Sequence, residues 1–485
     1  MCDKKRKRNM EVNNQKQLNA LMDNDDTGTA MGDDLSTQIQ TLTDRRENLD
    51  SGYAYILENE DTVHFDDTVR NVLTEISTAS QNLDKAIGAL MELQSKRQNF
   101  ANRVIHKGQQ GGHTGDGNCY ISFVNVGMGD CTIIATPMGR TIMIDCGSDA
   151  LSDVILNPDY DPNTGLKPED FIRNTIKNPM FLNGAKVIDV LFLTHPDGDH
   201  HDKLKPILEP IGVTANIVYY GGADDITGFN SSAYIKQIAG ATTGTLRKVH
   251  LCEEPNLDNG EIVVTRTIND KALPYTGKPN VLGDEFVDPL TQTIVVYYEQ
   301  DPKSDFKISI LAGNVTGIWK EATFVKKDDL IKGANEPKLD ATVPNKRSLM
   351  ILIECFGKSI LVCGDATAVT ENFTCDYFGL LLKKVTYLRM GHHGSTTSSA
   401  VRFLDNLTTM QSAVASTGGE ITTTHHLPKR AILDLYPPRV PNTAAAHNIY
   451  AFSDIDAISH NYFPGTTRQV FATGSNDTFS ITLKQ

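Results

Sequence analysis

Between Leu193 and Leu204 the chain reads LTHPDGDHHDKL, with three histidines and three aspartates inside eight positions. Packing alone does not ask for such a run, because desolvating many ionisable groups side by side is costly unless a cation compensates them. Imidazole nitrogens and carboxylate oxygens are the ordinary donors to divalent metals. His195, Asp197, Asp199 and His200 therefore read as metal ligands in preference to a surface loop. The apolar run Val187–Thr194 predicts a strand that delivers them, and Leu204–Leu208 predicts a helix behind them.

Three further apolar runs end in residues of the same kind: Asp145 after TIMI, Asp365 after SILVCG, and His392 with His393 after YLRMG. Taken singly, an aspartate after a strand is usually a turn residue or a helix cap. Ligand-type residues at the ends of several strands point to one site, since a strand fixes the backbone and the loop after it aims the side chains. After the histidine pair come Gly394, Ser395 and Thr396, then Thr397, Ser398 and Ser399. They offer N–H groups and hydroxyls to a phosphate at a helix start, or they simply cap that helix. His425 and His426, in TTTHHLPKRAIL, are candidates for protonating a leaving oxygen or binding a phosphate, or are a surface pair at a helix entry. The GGADD step at 221–225 follows a strand and reads first as a turn.

The elements that must position these residues begin after residue 118. Residues 1–60 are polar and open with the basic cluster Lys4–Arg8, which reads as a solvated tail, or as an address or nucleic-acid contact. The segment 61–106 predicts one long amphipathic helix, with Val69, Val72, Leu73, Ile76, Ala79, Leu83, Ile87 and Leu90 on one stripe between 66 and 103. That stripe suits packing within the chain, a partner protein, or a twin copy in a homo-oligomer. A glycine-bearing linker is expected at 107–118. From 119 to 485 the reading is a strand-rich α/β domain with insertions around 210–345, where strand-like pieces such as NIVYY, EIVVTRTI, TIVVYYE and FKISILAG are separated by polar loops. SLMILIECFGKSILVCGDA predicts two strands joined by a tight FGK turn, and RQVFATGSNDTFSITLKQ predicts a terminal hairpin. The strand-rich halves on either side of residue 250 suggest a two-part sheet architecture.

The motifs FVNVGMGD, IMIDCGS, LTHPDGDH, CGDA and MGHHGSTTS, in this order, resemble those of metallo-β-lactamase-fold hydrolases, and within them the soluble hydrolase domain of ComEC-type DNA-uptake proteins. The resemblance spans most of 119–485. It implies an αββα sandwich, two mixed β-sheets flanked by helices, with a two-metal site at its edge. It further implies that His195 and Asp197 hold one metal and Asp199 and His200 the second, with Asp365 bridging. One of His392 and His393 completes the second site, His392 being preferred. Asp145 is implied as a carboxylate that fixes the site's geometry, and Asp130, in GMGD, as structural or as a support beyond the ligands. The catalytic set would then be Asp199 and Asp365, with His425 or His426. Two departures limit the transfer. His201, Asp202, Lys203 and Leu204 stand where that branch usually has an Ile-Gly-Gly step, and a helical segment stands in place of its membrane channel. DNA uptake itself is therefore not expected.

Composition bounds the partners. Of 485 residues, 39% are hydrophobic and 22% charged, as in ordinary soluble proteins. A net charge of −14 argues against coating nucleic acid through overall charge, though not against a local groove. No run of about 18 apolar residues and no secretory leader is visible, so a cytoplasmic protein is expected. The eight cysteines form no CxxC pair and read as reduced, mostly buried thiols. The expected function is a metal-dependent phosphodiesterase, a nuclease acting on DNA or RNA with two divalent ions, with a defence system as one setting. Mn²⁺ or Mg²⁺ is favoured over Zn²⁺, because Asp197 hardens a place that a zinc site would give to histidine. The alternatives are a hydrolase of small molecules (cyclic nucleotide, ester or lactone) and a regulatory or effector module within an assembly.

Overall fold

A computed structural model describes residues 41–46, 48, 74–80, 82–83 and 85–86, and those from 115 to 485 except 152–153, 155–162, 164, 179, 184, 241–244, 256–260, 316–317, 321–322, 326–341, 419–425 and 454–458. The chain divides into two units, Met1–Ile105 and His106–Gln485. In the first unit, residues 41–46 and 74–80 are helical. The rest of the expected 1–60 segment, the rest of the helix expected at 66–103, and positions 107–114 of the expected linker lie outside the described residues.

The second unit is built on two large sheets. The first runs in the order Phe479–Leu483, Cys119–Phe123, Thr132–Ala135, Thr141–Ile144, Val187–Leu193, Thr214–Tyr220, Leu246–Pro255, Ile262–Ile268 and Lys271–Ala272. The second runs Val470–Ala472, Ser412–Ala415, Val385–Arg389, Lys358–Val362, Met350–Cys355, Lys307–Ala312, Ile294–Tyr298 and Phe286–Val287. Both are mixed: Thr141–Ile144, Val187–Leu193 and Thr214–Tyr220 are parallel neighbours in one. Lys358–Val362, Val385–Arg389, Ser412–Ala415 and Val470–Ala472 are parallel neighbours in the other.

The period-2 geometry of a strand sends alternate side chains to opposite faces, and here it sorts them into two cores. Ile142, Ile144, Val190, Phe192, Ile217 and Tyr219 share a core with Ile308, Ile310, Ile351 and Ile353 of the second sheet. Met143, Leu191, Leu193, Val218 and Tyr220 join Ile172, Ile176, Leu204, Ile207 and Ile235 from the helices Pro168–Ile176, Leu204–Leu208 and Ser232–Ile238. Beyond the second sheet, Ala368–Leu382 and Val401–Asn406 bring in Val369, Phe373, Phe403 and Leu404. The result is the αββα sandwich that the motif order implies. Each fully buried side chain of this size contributes about 1.5–3 kcal/mol.

Two expectations change. The strand-like pieces of 210–345 are strands of the sandwich itself: Thr214–Tyr220 and Ile262–Ile268 lie in the first sheet, Ile294–Tyr298 and Lys307–Ala312 in the second. The switch between sheets accordingly falls between 272 and 286 and not at 250. The closing segment is not a hairpin. Val470–Ala472 pairs in parallel with Ser412–Ala415, whereas Phe479–Leu483 crosses to pair with Cys119–Phe123 in the other sheet. The short helix Thr473–Asn476 makes that crossing. The FGK turn is present as expected, with Phe356 and Gly357 at φ 49° and 69°, the pair of positive values that a two-residue hairpin loop requires.

Candidate metal centre

Functional groups gather outside the carboxyl ends of parallel strands, and both sheets deliver theirs to one place. Asp145 follows Ile144, and its N–H donates to the Phe192 carbonyl at 2.9 Å. Its carboxylate accepts the N–H of Thr194 at 2.8 Å and the Thr194 hydroxyl at 2.6 Å, and lies 2.8 Å from His200 Nδ1. The loop 195–201 packs flat on the loop after Asp145. Cys146 N–H donates to the His200 carbonyl at 2.8 Å, and a Cβ on Gly147 would overlap the Asp199 carbonyl carbon. This gives the glycines of IMIDCGS and GMGD a reason: a Cβ on Gly129 would also meet Gly147 and Asp199.

From the second sheet comes Asp365, its N–H donated to Ser348 Oγ at 3.0 Å. Its two oxygens face different donor sets. Oδ1 lies 3.0 Å from His200 Nε2 and 3.3 Å from His393 Nε2, and His393 Nε2 lies 3.0 Å from Asp199 Oδ2. Oδ2 lies 3.8 Å from His195 Nε2 and 3.5 Å from His392 Nε2, and His195 Nε2 lies 3.6 Å from Asp197 Oδ2. Ligands at about 2.0–2.2 Å around a tetrahedral ion stand roughly 3.3–3.5 Å apart, and these spacings bracket that value. His195 Nε2 is buried with no hydrogen-bond partner, as a nitrogen reserved for a cation would be. Asp199, His200, His393 and Asp365 are buried donors close enough together to hold a metal ion; a second ion, as the resemblance implies, would take His195, Asp197, His392 and Asp365. His393, and not the preferred His392, stands beside Asp199 and His200, because the two rings leave the strand end on opposite sides of Asp365.

The loop that separates them is strained: His392, His393 and Gly394 have φ of 45°, 52° and 76° in succession. Each such non-glycine residue costs about 1–2 kcal/mol, a cost that functional sites tend to carry. Hydrogen bonds set the tautomers. His393 Nδ1 is 2.6 Å from the Ser416 carbonyl, which only accepts, so Nδ1 carries the hydrogen and Nε2 presents its lone pair. His201 is buried away from the cluster, with Nε2 2.9 Å from the Pro196 carbonyl and Nδ1 3.1 Å from Ser231 Oγ. It ties the ends of the ligand loop together, so this departure from the resembled motif supports the loop rather than lining a pocket.

Charge follows from burial and neighbours. Burial alone would lower His200, but Asp365, Asp145 and Asp199 reverse this and hold it well above the ordinary imidazole value. Burial would raise Asp365, but His393, His200 and His392 pull it well below the carboxylate range. Asp199 is likewise lowered against burial, chiefly by His200 and His393. His392 is pushed down to about 4 by burial, only partly opposed by Asp365, so it is neutral at pH 7. Asp130 is not at the centre itself. It pairs with the fully buried Arg389, Nη2 to Oδ2 at 2.6 Å, and burial raises its carboxyl against the pull of that guanidinium.

Other expected site residues fall elsewhere. Ser395 N–H is spent on the His392 carbonyl at 2.7 Å, and Glu371 accepts the N–H groups of Ser399 at 2.8 Å and Ala400 at 2.7 Å. The anion at that helix start is therefore the chain's own carboxylate. What Gly394, Ser395 and Thr396 leave for a substrate is the half-buried side chains of the last two. Gly394 itself packs closely on Pro428. His426 stands against the Phe452 ring, centroids 5.3 Å apart, and among the described residues no hydrogen bond joins it to the cluster. His425 lies outside the described residues. GGADD is a turn: Asp225 accepts Thr227 N–H at 2.6 Å, and a Cβ on Gly222 would overlap His195. Sequence reasoning missed Asn345, whose Nδ2 lies 3.0 Å from His392 Nε2 and 3.4 Å from Asp365 Oδ2, as well as Arg389, Ser416 and Glu371. Only Arg389, a cation inside the apolar run VTYLRM, carried a visible signal.

No protein-family profile matches the chain, and no curated protein does. Among solved structures, the short form of human tRNase Z is similar at 13% identity, covering 61% of this chain and 91% of that one, with a TM-score of 0.29. A diphosphatase of the PhnP family is similar at 10% identity, covering 75% and 97%, with a TM-score of 0.29. Zinc-bound PqqB from Methylobacterium extorquens is similar at 12% identity, covering 56% and 71%, with a TM-score of 0.24.

Proposed function

We propose that this chain is a metal-dependent hydrolase that cleaves phosphodiester bonds of nucleic acid. The observation that carries the proposal is the division of Asp365 between two donor sets, one oxygen to each. Two divalent ions held there would supply Lewis acidity and activate water for attack near neutral pH. The chain's own part is to hold Nε2 lone pairs and carboxylates rigidly: Asp145 orients His200, the Ser416 carbonyl orients His393, and Asn345 lies against His392 and Asp365. The Asp197 and His392 side chains are 38% and 20% exposed, whereas those of His195, His200, His393 and Asp365 are 3% or less. Substrate therefore approaches from the Asp365 Oδ2 side, where Asp197 and His392 meet solvent. Nucleic acid as substrate is supported by the likeness of the motifs to the ComEC-type branch.

The assay sets the full chain with Mn²⁺, Mg²⁺ or Zn²⁺ against single-stranded DNA, duplex DNA, RNA and a chromogenic phosphodiester, beside Asp365→Ala. Metal-dependent cleavage of a polynucleotide that vanishes in Asp365→Ala is expected. Turnover of the small diester alone would replace nucleic acid by a small-molecule substrate, and no turnover with normal metal loading would sink the enzymatic reading. Asp197 makes the Oδ2 side rich in hard oxygen donors, which favours Mn²⁺ or Mg²⁺. Asp197→His is expected to move the preferred ion toward Zn²⁺; an unchanged preference would refute that assignment. We also propose that the apolar stripe on the helix around Ile76 and Leu83 mediates self-association. Light scattering of the full chain beside Ile76→Asp/Leu83→Asp tests it, and identical monomeric masses would remove it.

A further inference from the structure

We propose that His250, Cys252 and Glu254 form a second metal site, separate from the Asp365 centre, that takes one ion of the Zn²⁺ class. The three residues alternate along the strand Leu246–Pro255, so its period of two places them on one face. Their donor atoms lie within 4.8 Å of one another. His250 Nε2 is 2.9 Å from Cys252 Sγ and 2.9 Å from Glu254 Oε1. Glu254 is pre-oriented, because its Oε2 accepts the Thr265 hydroxyl at 2.7 Å from the neighbouring strand.

The three donors also face open space. The cluster lines a cavity of about 260 Å³, and Asn314 lines it too. Asn314 is 9% exposed and gives Nδ2 to the Val249 carbonyl at 2.7 Å, which fixes the amide's orientation. Its Oδ1 is buried and has no hydrogen-bond partner. The cations of the cavity do not compete for the donors: Lys248 pairs with Asp270 at 2.8 Å and Arg347 with Asp224 at 3.2 Å.

The donor set selects the ion. Thiolate and imidazole favour Zn²⁺ or Co²⁺ over the harder Mn²⁺ and Mg²⁺, and three protein ligands leave the fourth position to water. Nitrogen and sulfur around a tetrahedral ion stand about 3.5 Å apart. Binding therefore opens the His250–Cys252 contact slightly, which the 23% and 40% exposed side chains of His250 and Glu254 permit. The thiol proton is released to solvent as the Zn–S bond forms. The site adjoins the wall of the Asp365 centre, because Asn314 N–H donates to the Arg347 carbonyl at 2.9 Å, two residues after Asn345.

The test uses Co²⁺ as the probe on the full chain, stripped of metal and carrying Cys2→Ser throughout. The Asp365 cluster contains no sulfur, so a thiolate-to-cobalt charge-transfer band reports on the second site alone. The band is expected in this parent and in Asp365→Ala, and is expected to be lost in Cys252→Ser. His250→Gln and Glu254→Gln keep the thiol and should weaken the Co²⁺ titration at least about 10-fold. No band at saturating Co²⁺, a band that persists in Cys252→Ser, or unchanged titrations in both other variants would overturn the proposal. Because the band survives in Asp365→Ala, its presence or absence is independent of the proposed hydrolase.

Discussion

His200 Nδ1 lies 2.8 Å from Asp145, whose carboxylate accepts its hydrogen, so Nε2, 3.0 Å from Asp365, is the nitrogen that would face an ion. An amide in place of that carboxylate can present its NH₂ face, which disfavours this tautomer and weakens the ring as a donor. Asp145→Asn is therefore expected to lower metal affinity about 10–100-fold with the fold retained, read by metal titration and circular dichroism. An unchanged affinity would remove Asp145 from the site. Arg389 acts on the same scale through charge. It is fully buried, pairs with Asp130 at 2.6 Å and reaches the Gly364 and Met390 carbonyls at 2.5 and 2.7 Å. Arg389→Met strands the Asp130 carboxylate in the interior, a loss of about 3–5 kcal/mol. Adding Asp130→Asn should restore part of it. Denaturant unfolding of both variants checks this, and equal stabilities would show that the stranded charge is not the cause.

At the scale of elements, the loop 391–400 keeps its strained path because the helix Ala368–Leu382 reaches across to it. Glu371 lies inside that helix, is fully buried, and accepts the N–H groups of Ser399 and Ala400. Glu371→Ala leaves those donors buried without an acceptor, at about 1–3 kcal/mol each. It should also loosen His392 and His393, lowering melting temperature and metal affinity together; a melting temperature lowered with metal affinity intact would uncouple the helix from the centre. This contact shows where the sequence stops being legible. The ligand loop, Asp145, Asp365 and the histidine pair were readable because each ends an apolar run, so strand period and residue type coincide at those positions. Glu371 was not, because it sits in the first turn of its helix among ordinary polar residues and its partners lie 28 and 29 positions away. The choice between His392 and His393 was closed to sequence for a related reason: positive φ at both turns the two rings apart in a way residue identity does not encode. The strands of 210–345 were visible as strands, yet which sheet each joins was not, because the sheet order depends on partners far away in the chain.

The whole molecule hangs on the fact that the two sheets contribute different halves of the centre. Asp145 and the ligand loop 195–200 come from the first sheet, and Asp365, His392 and His393 from the second. Ions held by residues of both halves would therefore clamp one sheet to the other across the rim of their common core. A ligand that binds only the folded state stabilises by about 2.7 kcal/mol at 100 times its Kd, and with ions bound in this way that gain would fall on the contact between the sheets rather than on one loop. Chelation of the full chain should lower its melting temperature, and re-addition of Mn²⁺ should restore it. To separate this clamp from the site on the strand Leu246–Pro255, the experiment is run on a Cys252→Ser background. Asp365→Asn in that background removes the shared oxygen charge while keeping the side chain's shape, and should abolish the Mn²⁺-dependent shift. A full shift in that double variant would mean that the two sheets are not joined through Asp365.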